Sequence, residues 1–358
     1  MTKRIAIIGS GIVGRTIALT LHCPDREEKK TFDDSSVTIF EKSPDGKPQS
    51  ASYFAGGLIT PESEVDLLPS EILKIASLAL GKHAEFRRIH GLDGLCEEKG
   101  SLVIAHTRDQ TLWNDQLARL ARISEDVEFK VLNRDELGNL EPTLERFPQA
   151  LFFPRECHLD CRDWLGALDE RMASAGIDVR YDHDMTPSAP SLSKDFDLVI
   201  DCRGMGAVND IADLRGVLGE SIIVETDEVK LSRPVRVLHP RYPLYIVPRS
   251  DNKFYVGATA LESEREKGIS VRSALELLSA LISVQPMFGE AHLVETIRAQ
   301  RPTFFGHAPK ILYGNRLLRV NGMFRYGFFL APFLASLVRD FLRHEQVPEY
   351  GAAFFARG

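Results

Sequence analysis

The chain is poor in the features that mark several protein classes. Its five cysteines are an odd number spread over 358 residues, so they form no disulfide framework, and a reducing compartment is expected. It has no excess of positive charge: the formal net charge of −7 gives a nucleic-acid partner little support. No run reaches the roughly 18 apolar residues of a membrane span. The nearest, "FRYGFFLAPFLASLVRDFL", is interrupted by Arg325 and Arg339 and reads as a buried helix with its approach. No internal repeat or low-complexity segment is present. "KRIAIIGSGIVG" has a charged start and an apolar run but no small-residue cleavage site, so it is not read as a signal segment, and the expected location is the cytoplasm. The length suggests two domains or an elaborated α/β unit.

What is present begins with "RIAIIGSGIVGRTIALTL". Arg4 to Ile8 is the short apolar run of a buried parallel strand. Gly9, Gly11 and Gly14 then supply G-x-G-x-x-G. Ile12, Val13, Thr16, Ile17 and Leu19 continue at helical spacing. Gly9 permits a tight turn, Gly11 lets the backbone approach a pyrophosphate, and Gly14 lets the helix pack closely on the strand. The helix N-terminus offers free N–H groups to phosphates. A second strand, "SSVTIFEK", ends in Glu41, placed to bind ribose hydroxyls; the alternative is a solvated strand end. Between helix and strand, "CPDREEKKTFDDSS" reads as a charged surface loop.

The motif alone does not separate FAD from a nicotinamide. Two further glycine pairs bear on the choice. Gly56 and Gly57 follow the acidic strand, and Gly204 and Gly206 follow a buried strand, Leu198 to Asp201. The nucleotide unit is thus interrupted and later resumed, whereas a simple NAD domain is usually continuous.

The rest alternates helices and strands. Helices are expected over "PSEILKIASLALGKHAEFRRIHG" (one helix ended by Gly91), "TLWNDQLARLARIS", "RDELGNLEP", "RDWLGALDERMASAG", "SVRSALELLSALISVQP" and "LAPFLASLVRDFLRHE". Strands are expected at "GSLVIAHT", "IDVRY", "ESIIVET", "VRVLHP", "LYIVP", "FYVGAT" and "NRLLRVNG", and "MTPSAPSLSKDF" reads as a polar connector.

In "VNGMFRYGFFLAP", Arg325 is a full positive charge among apolar residues, and a buried guanidinium needs an anion. Its planar fork suits a carboxylate, either that of a ligand or an internal Asp or Glu. "CHLDC" groups Cys157, His158, Asp160 and Cys161 in a metal-like way, but no second cluster completes a site, and no metal is expected. His307 reads as a loop histidine.

Taken in order, "IIGSGIVG", Glu41, "SASYFAGGLITP", "NRDELGNLEPTL", "HLDCRDWLGAL", "DLVIDCRGMGA", "LYIVPRSDNKFYVGAT", "RAQRP" and "VNGMFRYGFFLAP" resemble the D-amino-acid oxidase family of FAD-dependent oxidoreductases, its glycine oxidase-like subgroup most of all. The resemblance spans about Arg4 to Arg343. It implies an α/β fold in which a Rossmann-like FAD-binding domain is interleaved with a mixed α+β substrate domain. The expected division is 1–80, 145–215 and 300–358 for the first, and 81–144 and 216–299 for the second. It implies an enzyme that oxidises the amine carbon of an amino acid or amine by hydride transfer to non-covalent FAD, with oxygen or another electron acceptor. In "CHLDC" it implies a strand running into a helix that starts at Asp160.

For the site, the resemblance implies that Arg325, Tyr245 and Arg301 surround the substrate. The alternatives are an internal ion pair for either arginine and a packed strand face for Tyr245. It implies cofactor contacts from Gly9, Gly11, Ile12, Val13, Gly14, Glu41, Lys42, Ser52, Ala55, Gly56, Gly57, Cys202, Gly204, Arg301, Tyr326, Gly327 and Phe328, with the last helix directing its N-terminus at the flavin. No general base is needed when a neutral amine gives hydride directly. The chain departs from the subgroup near the site. "RPTFFGHAP" lacks the usual Gly-Thr…Asp-Gly loop, Tyr326 replaces an asparagine, and Phe328 and Phe329 replace smaller aliphatics. These changes leave the substrate open, and a dehydrogenase, a tailoring enzyme with a larger substrate and a non-catalytic flavin-binding module stand as alternatives. Assembly into a homo-oligomer is compatible with the sequence.

Overall fold

A computed structural model describes residues 3–22, 36–44, 50–123, 127–241, 244–263 and 268–358. The charged loop expected after the first helix lies, apart from Ser36, outside the described residues. Two large sheets organise the molecule. The first has seven strands in the order Phe355–Arg357, Lys310–Gly314, Leu317–Asn321, Leu198–Asp201, Arg4–Ile8, Ser36–Phe40 and Asp178–Arg180. Its centre is parallel: Arg4–Ile8 pairs with Leu198–Asp201 on one side and Ser36–Phe40 on the other.

This central strand is apolar throughout because both of its faces are covered. Ile5 and Ile7 join the cluster formed with the helices Ile12–His22, Cys161–Ser174 and Gly327–His344. Ala6 and Ile8 turn the other way, towards Phe40, Leu192 and Val199. Arg15, wholly buried on the first helix, grips Asp169 of the helix Cys161–Ser174 with two bonds of 2.7 and 2.9 Å. That bidentate pair fixes the glycine-rich turn against its neighbours.

The second sheet has eight strands, in the order His292–Thr303, Arg215–Glu225, Lys253–Gly257, Leu244–Pro248, Val235–Leu238, Ser101–Ala105, Gln149–Phe153 and Lys130–Asn133. Val235–Leu238 and Ser101–Ala105 run parallel and the other neighbours antiparallel. Alternation along two of its strands decides what faces the site. Leu244, Ile246, Phe254 and Val256 pack beneath the helix Val271–Val284, which buries Leu277, Leu281 and Val284 against them. Tyr245, Val247 and Tyr255 point to the opposite face.

Three expectations need correction. The helix foreseen before Gly91 is two pieces, Ser70–Lys74 and Ala76–His90, broken where Ile75 leaves helical geometry (φ −110°, ψ 7°). Gly91 does end the second piece, in the left-handed region. The polar connector contains a short helix, Pro190–Asp195, started by its proline and held by the buried Leu192. The last helix starts earlier than Leu330, at Gly327. "CHLDC" is a strand, Cys157–Leu159, followed by the helix Cys161–Ser174, with the Asp160 carboxylate accepting from the N–H groups of Arg162 and Asp163.

Candidate active site

A cavity of about 980 Å³ lies where strand ends of the first sheet meet the Tyr245 face of the second. At one end the chain leaves the strand Arg4–Ile8 through Gly9, whose φ is +96° and where a Cβ would stand 2.8 Å from the Cys202 carbonyl oxygen. Gly11, Ile12 and Val13 line the cavity. Gly14 does not: it faces inward, where a Cβ would stand 2.0 Å from the Gly9 carbonyl. It is the packing glycine of the three.

Glu41 sits buried at the end of its strand, with one oxygen accepting the Ser10 N–H at 2.8 Å and the other the Ser43 N–H at 3.0 Å. Each oxygen retains a lone pair for a further donor, so the carboxylate is held ready for hydroxyls. Lys42, Ser52, Ala55, Gly56, Gly57, Cys202 and Gly204 also line the wall. The Ser52 hydroxyl accepts the Ile12 N–H at 3.1 Å, and the buried Ser50 hydroxyl has no partner among the described residues.

Two long helices start at the cavity. The first begins at Ile12. The last begins at Gly327, whose own Cβ position would lie 3.5 Å from Ile12, and its N–H groups at Gly327, Phe328 and Phe329 precede the first intrahelical bond, Leu330 N–H to Tyr326 O. Both direct the positive end of a helix dipole into the space.

The far end is built from arginines and phenols. Arg325 donates from Nη2 to the Tyr245 hydroxyl at 2.7 Å and lies 3.3 Å from a Glu64 carboxylate oxygen. The anion that its sequence context demands is therefore partly supplied from within. Burial acts to lower the Arg325 pKa, but Tyr245 and Glu64 more than offset it and hold it above its ordinary value. Burial pushes the Tyr245 pKa well up, so it remains a neutral phenol able to donate. Arg301 differs. Its guanidinium fills the space over Gly219, where a Cβ would come within 2.3 Å, and donates to the Thr259 carbonyl at 3.0 Å. Burial, with repulsion from Arg325, pulls its pKa below the ordinary value despite the nearby Tyr255. No carboxylate among the described residues pairs with it, which leaves a charge suited to an incoming anion.

The structure thus brings Tyr245, Arg301 and Arg325 together with every expected cofactor contact except Gly14. Two residues that the sequence did not single out join them. Glu64 lies on the segment after "LITP", between Glu62 and Asp66, a pattern that reads as solvated acid. Tyr255 shares a face with Tyr245, a fact that depends on strand register. Tyr326, the departure from asparagine, donates its hydroxyl to the Leu67 carbonyl at 3.0 Å and so anchors the Glu64 segment. Both cysteines of "CHLDC" are engaged: Cys161 bonds the Ala55 carbonyl at 3.2 Å and Cys157 meets Cys96 at 2.7 Å. Among the described residues no group of three or more His, Cys, Asp or Glu is placed to hold a metal. His307 lies in a turn (φ 62°), stacked on Phe324.

The profile of the family described as FAD dependent oxidoreductase matches residues 4–341. The chain belongs to this family. Within it, the chain is 38% identical over 353 residues to the putative thiamine biosynthesis oxidoreductase ThiO of Rhizobium etli, covering 98% of this chain and 100% of that protein. It is 27% identical over 382 residues to the glycine oxidase of Geobacillus kaustophilus, covering 97% and 95%. In fold it matches the crystal structure of iminodiacetate oxidase (IdaA) from Chelativorans sp. BNC1, with a TM-score of 0.81 at 20% identity and 99% of each chain covered.

As an FAD-dependent oxidoreductase the protein must hold a long dinucleotide, and the cavity fits one. The Glu41 carboxylate, the glycine turn, the partnerless Ser50 hydroxyl and two helix N-termini line one continuous space that ends at the arginines. None of the described helices is long and apolar enough to cross a membrane.

Proposed function

We propose that this protein oxidises the amine-bearing carbon of an amino acid or another small amine that carries a carboxylate. The observation that carries the reading is the convergence of Arg301 and the Arg325–Tyr245 pair on the cavity opened by the glycine turn. When bound, FAD supplies the hydride acceptor. The chain's own part is to bind and orient: Arg301, with Nη1 of Arg325, takes the substrate carboxylate, and the Tyr245 hydroxyl donates to it. Glu41 would hold the ribose and the start of the first helix the phosphates. The dipole of the last helix would favour negative charge on the reduced cofactor. Phe54, Phe328 and Phe329 exclude water from the lining. FAD is held without a covalent bond, and oxygen or another acceptor takes the electrons.

We assign 1–80, 145–215 and 300–358 to the FAD-binding domain and 81–144 and 216–299 to the substrate domain. The protein works in the cytoplasm, a reading that the odd number of dispersed cysteines in the sequence supports. A second reading is favoured by the Rhizobium etli relative, whose name places that protein in thiamine biosynthesis. Here the oxidised product is handed to a biosynthetic step instead of being discarded as oxo acid.

The test is spectroscopic. The purified protein should be yellow and should bleach anaerobically with glycine, sarcosine, iminodiacetate or a D-amino acid. A protein that takes up no FAD sinks the cofactor assignment, and a yellow protein that none of these reduces sinks the substrate class. Peroxide release in air separates oxidase from dehydrogenase.

A further inference from the structure

We propose that Glu64 faces the substrate nitrogen and stabilises the positive charge that develops there as hydride leaves. The inference rests on the reading of the cavity as a site of amine oxidation.

Glu64 lines the cavity and is 6% exposed. One carboxylate oxygen, Oε1, accepts the Thr60 hydroxyl at 3.1 Å; the other, Oε2, lies 3.3 Å from Arg325 Nη2 and accepts no aligned hydrogen bond. An ion pair without an aligned hydrogen bond leaves that oxygen a lone pair for a donor that arrives. Its placement is built. Beside it, the Ser63 N–H donates to Glu156 at 2.7 Å, and the Ser63 carbonyl receives Arg236 and, at 3.2 Å, Gln116. Three residues on, Tyr326 holds the Leu67 carbonyl. A side chain fixed from this many directions is preorganised.

Charge dictates how a ligand lies. Arg325 with Glu64, and Arg236 with Asp66 at 2.6 Å, form two neutral pairs, whereas Arg301 has no anion among the described residues. A bare carboxylate at Arg325 would meet Glu64. An amino acid carries its nitrogen one carbon from its carboxylate, so it can oppose the pair: carboxylate to Arg301 and the outer edge of Arg325, nitrogen to Glu64. A carboxylate without nitrogen has nothing to set against Glu64.

In the reaction the bound ammonium first releases its proton to bulk water, and the neutral amine is the species that reacts. The C–H electron pair leaves with its hydrogen as hydride to oxidised flavin, and the nitrogen lone pair closes the C=N bond. Substrate is oxidised by two electrons, flavin is reduced by two, and the nitrogen becomes cationic. Glu64 takes no proton. Its charge interacts more strongly with the iminium than with the amine, so the gain falls on the barrier and not on ground-state binding.

Glu64→Gln holoenzyme tests this, by stopped-flow flavin reduction with glycine and by acetate binding read from the flavin spectrum. The reduction rate should fall on the order of 10²–10³-fold, while acetate binds equally well or more tightly. If Glu64 serves only to hold Arg325 in place, acetate binding weakens instead and the rate at saturation is kept. Either that pattern or a parental rate overturns the proposal. Should the glutamine variant fail to take up FAD, Glu64→Asp replaces it. There the retracted charge should slow reduction about 10-fold or more with acetate binding intact, and an unchanged rate overturns the proposal. If the parent holoenzyme is reduced by no amine, the function reading itself fails, a result distinct from either variant outcome.

Discussion

Replacing Glu156 by glutamine should stabilise the protein by an amount that grows with pH. Glu156 is wholly buried behind the segment that carries Glu64. One of its oxygens accepts the Ser63 N–H and the other meets the Ser101 hydroxyl. Burial raises its pKa from 4.5 to about 8, against the Ser101 and Ser63 hydrogen bonds that favour the ionised form. The folded-state pKa therefore lies above the unfolded one, and the folded protein keeps a proton that the unfolded chain releases. The stability linked to that proton is complete below pH 4.5 and is lost as the pH rises through about 8. At about 1.4 kcal/mol per pKa unit, the loss across this window is on the order of a few kcal/mol. Glutamine has nearly the same shape, can accept from Ser63 and donate to Ser101, and has no such proton. Parent and variant should be nearly equal at about pH 5, with the variant ahead by roughly 2–4 kcal/mol near pH 8. Urea unfolding of both holoproteins at fixed excess FAD, from pH 5 to 8, measures the difference. A difference that is flat, or that shrinks as pH rises, refutes the reasoning.

Other expectations follow from the same contacts. Gly14→Ala places a methyl 2.0 Å from the Gly9 carbonyl, so the turn must move, and calorimetric FAD affinity should fall at least about 10-fold. Arg325→Lys should keep FAD but lose the planar guanidinium that reaches Tyr245 and the substrate together, slowing flavin reduction by carboxylate-bearing amines roughly 10–100-fold; unchanged turnover would make Arg325 purely structural. Glu41→Ala should weaken FAD binding without altering the substrate dependence of whatever holoenzyme remains, as titration followed by steady-state rates would show.

The parts of the fold legible in the sequence are those governed by local chemistry. The strand Arg4–Ile8, the three glycines, Glu41 at a strand end and Gly91 at a helix end each obey a rule that acts within a few residues. What stayed hidden depends on distant partners. No proline or glycine marks the break at Ile75. The strand Gln149–Phe153 is read only once it pairs with Ser101–Ala105, and His292–Thr303 carries charges that obscure its alternation until it lies along Arg215–Glu225. For the site, Tyr245 and Arg325 could be named from their motifs, but their mutual hydrogen bond could not. Glu64 was hidden because Thr60, Glu62, Ser63 and Asp66 around it make a polar stretch. Its burial depends on Tyr326 and Arg325, which come from the other end of the chain.

The central claim is that this cavity oxidises an amine held by its carboxylate. The most direct measurement compares anaerobic bleaching of the holoenzyme by glycine, or whichever amino acid reduces it fastest, with bleaching by the same amine lacking its carboxylate. The account predicts reduction by the amino acid and a rate at least about 10²-fold lower for the decarboxylated amine, as expected when a charge-assisted bidentate contact is lost. Equal bleaching by the two would contradict it.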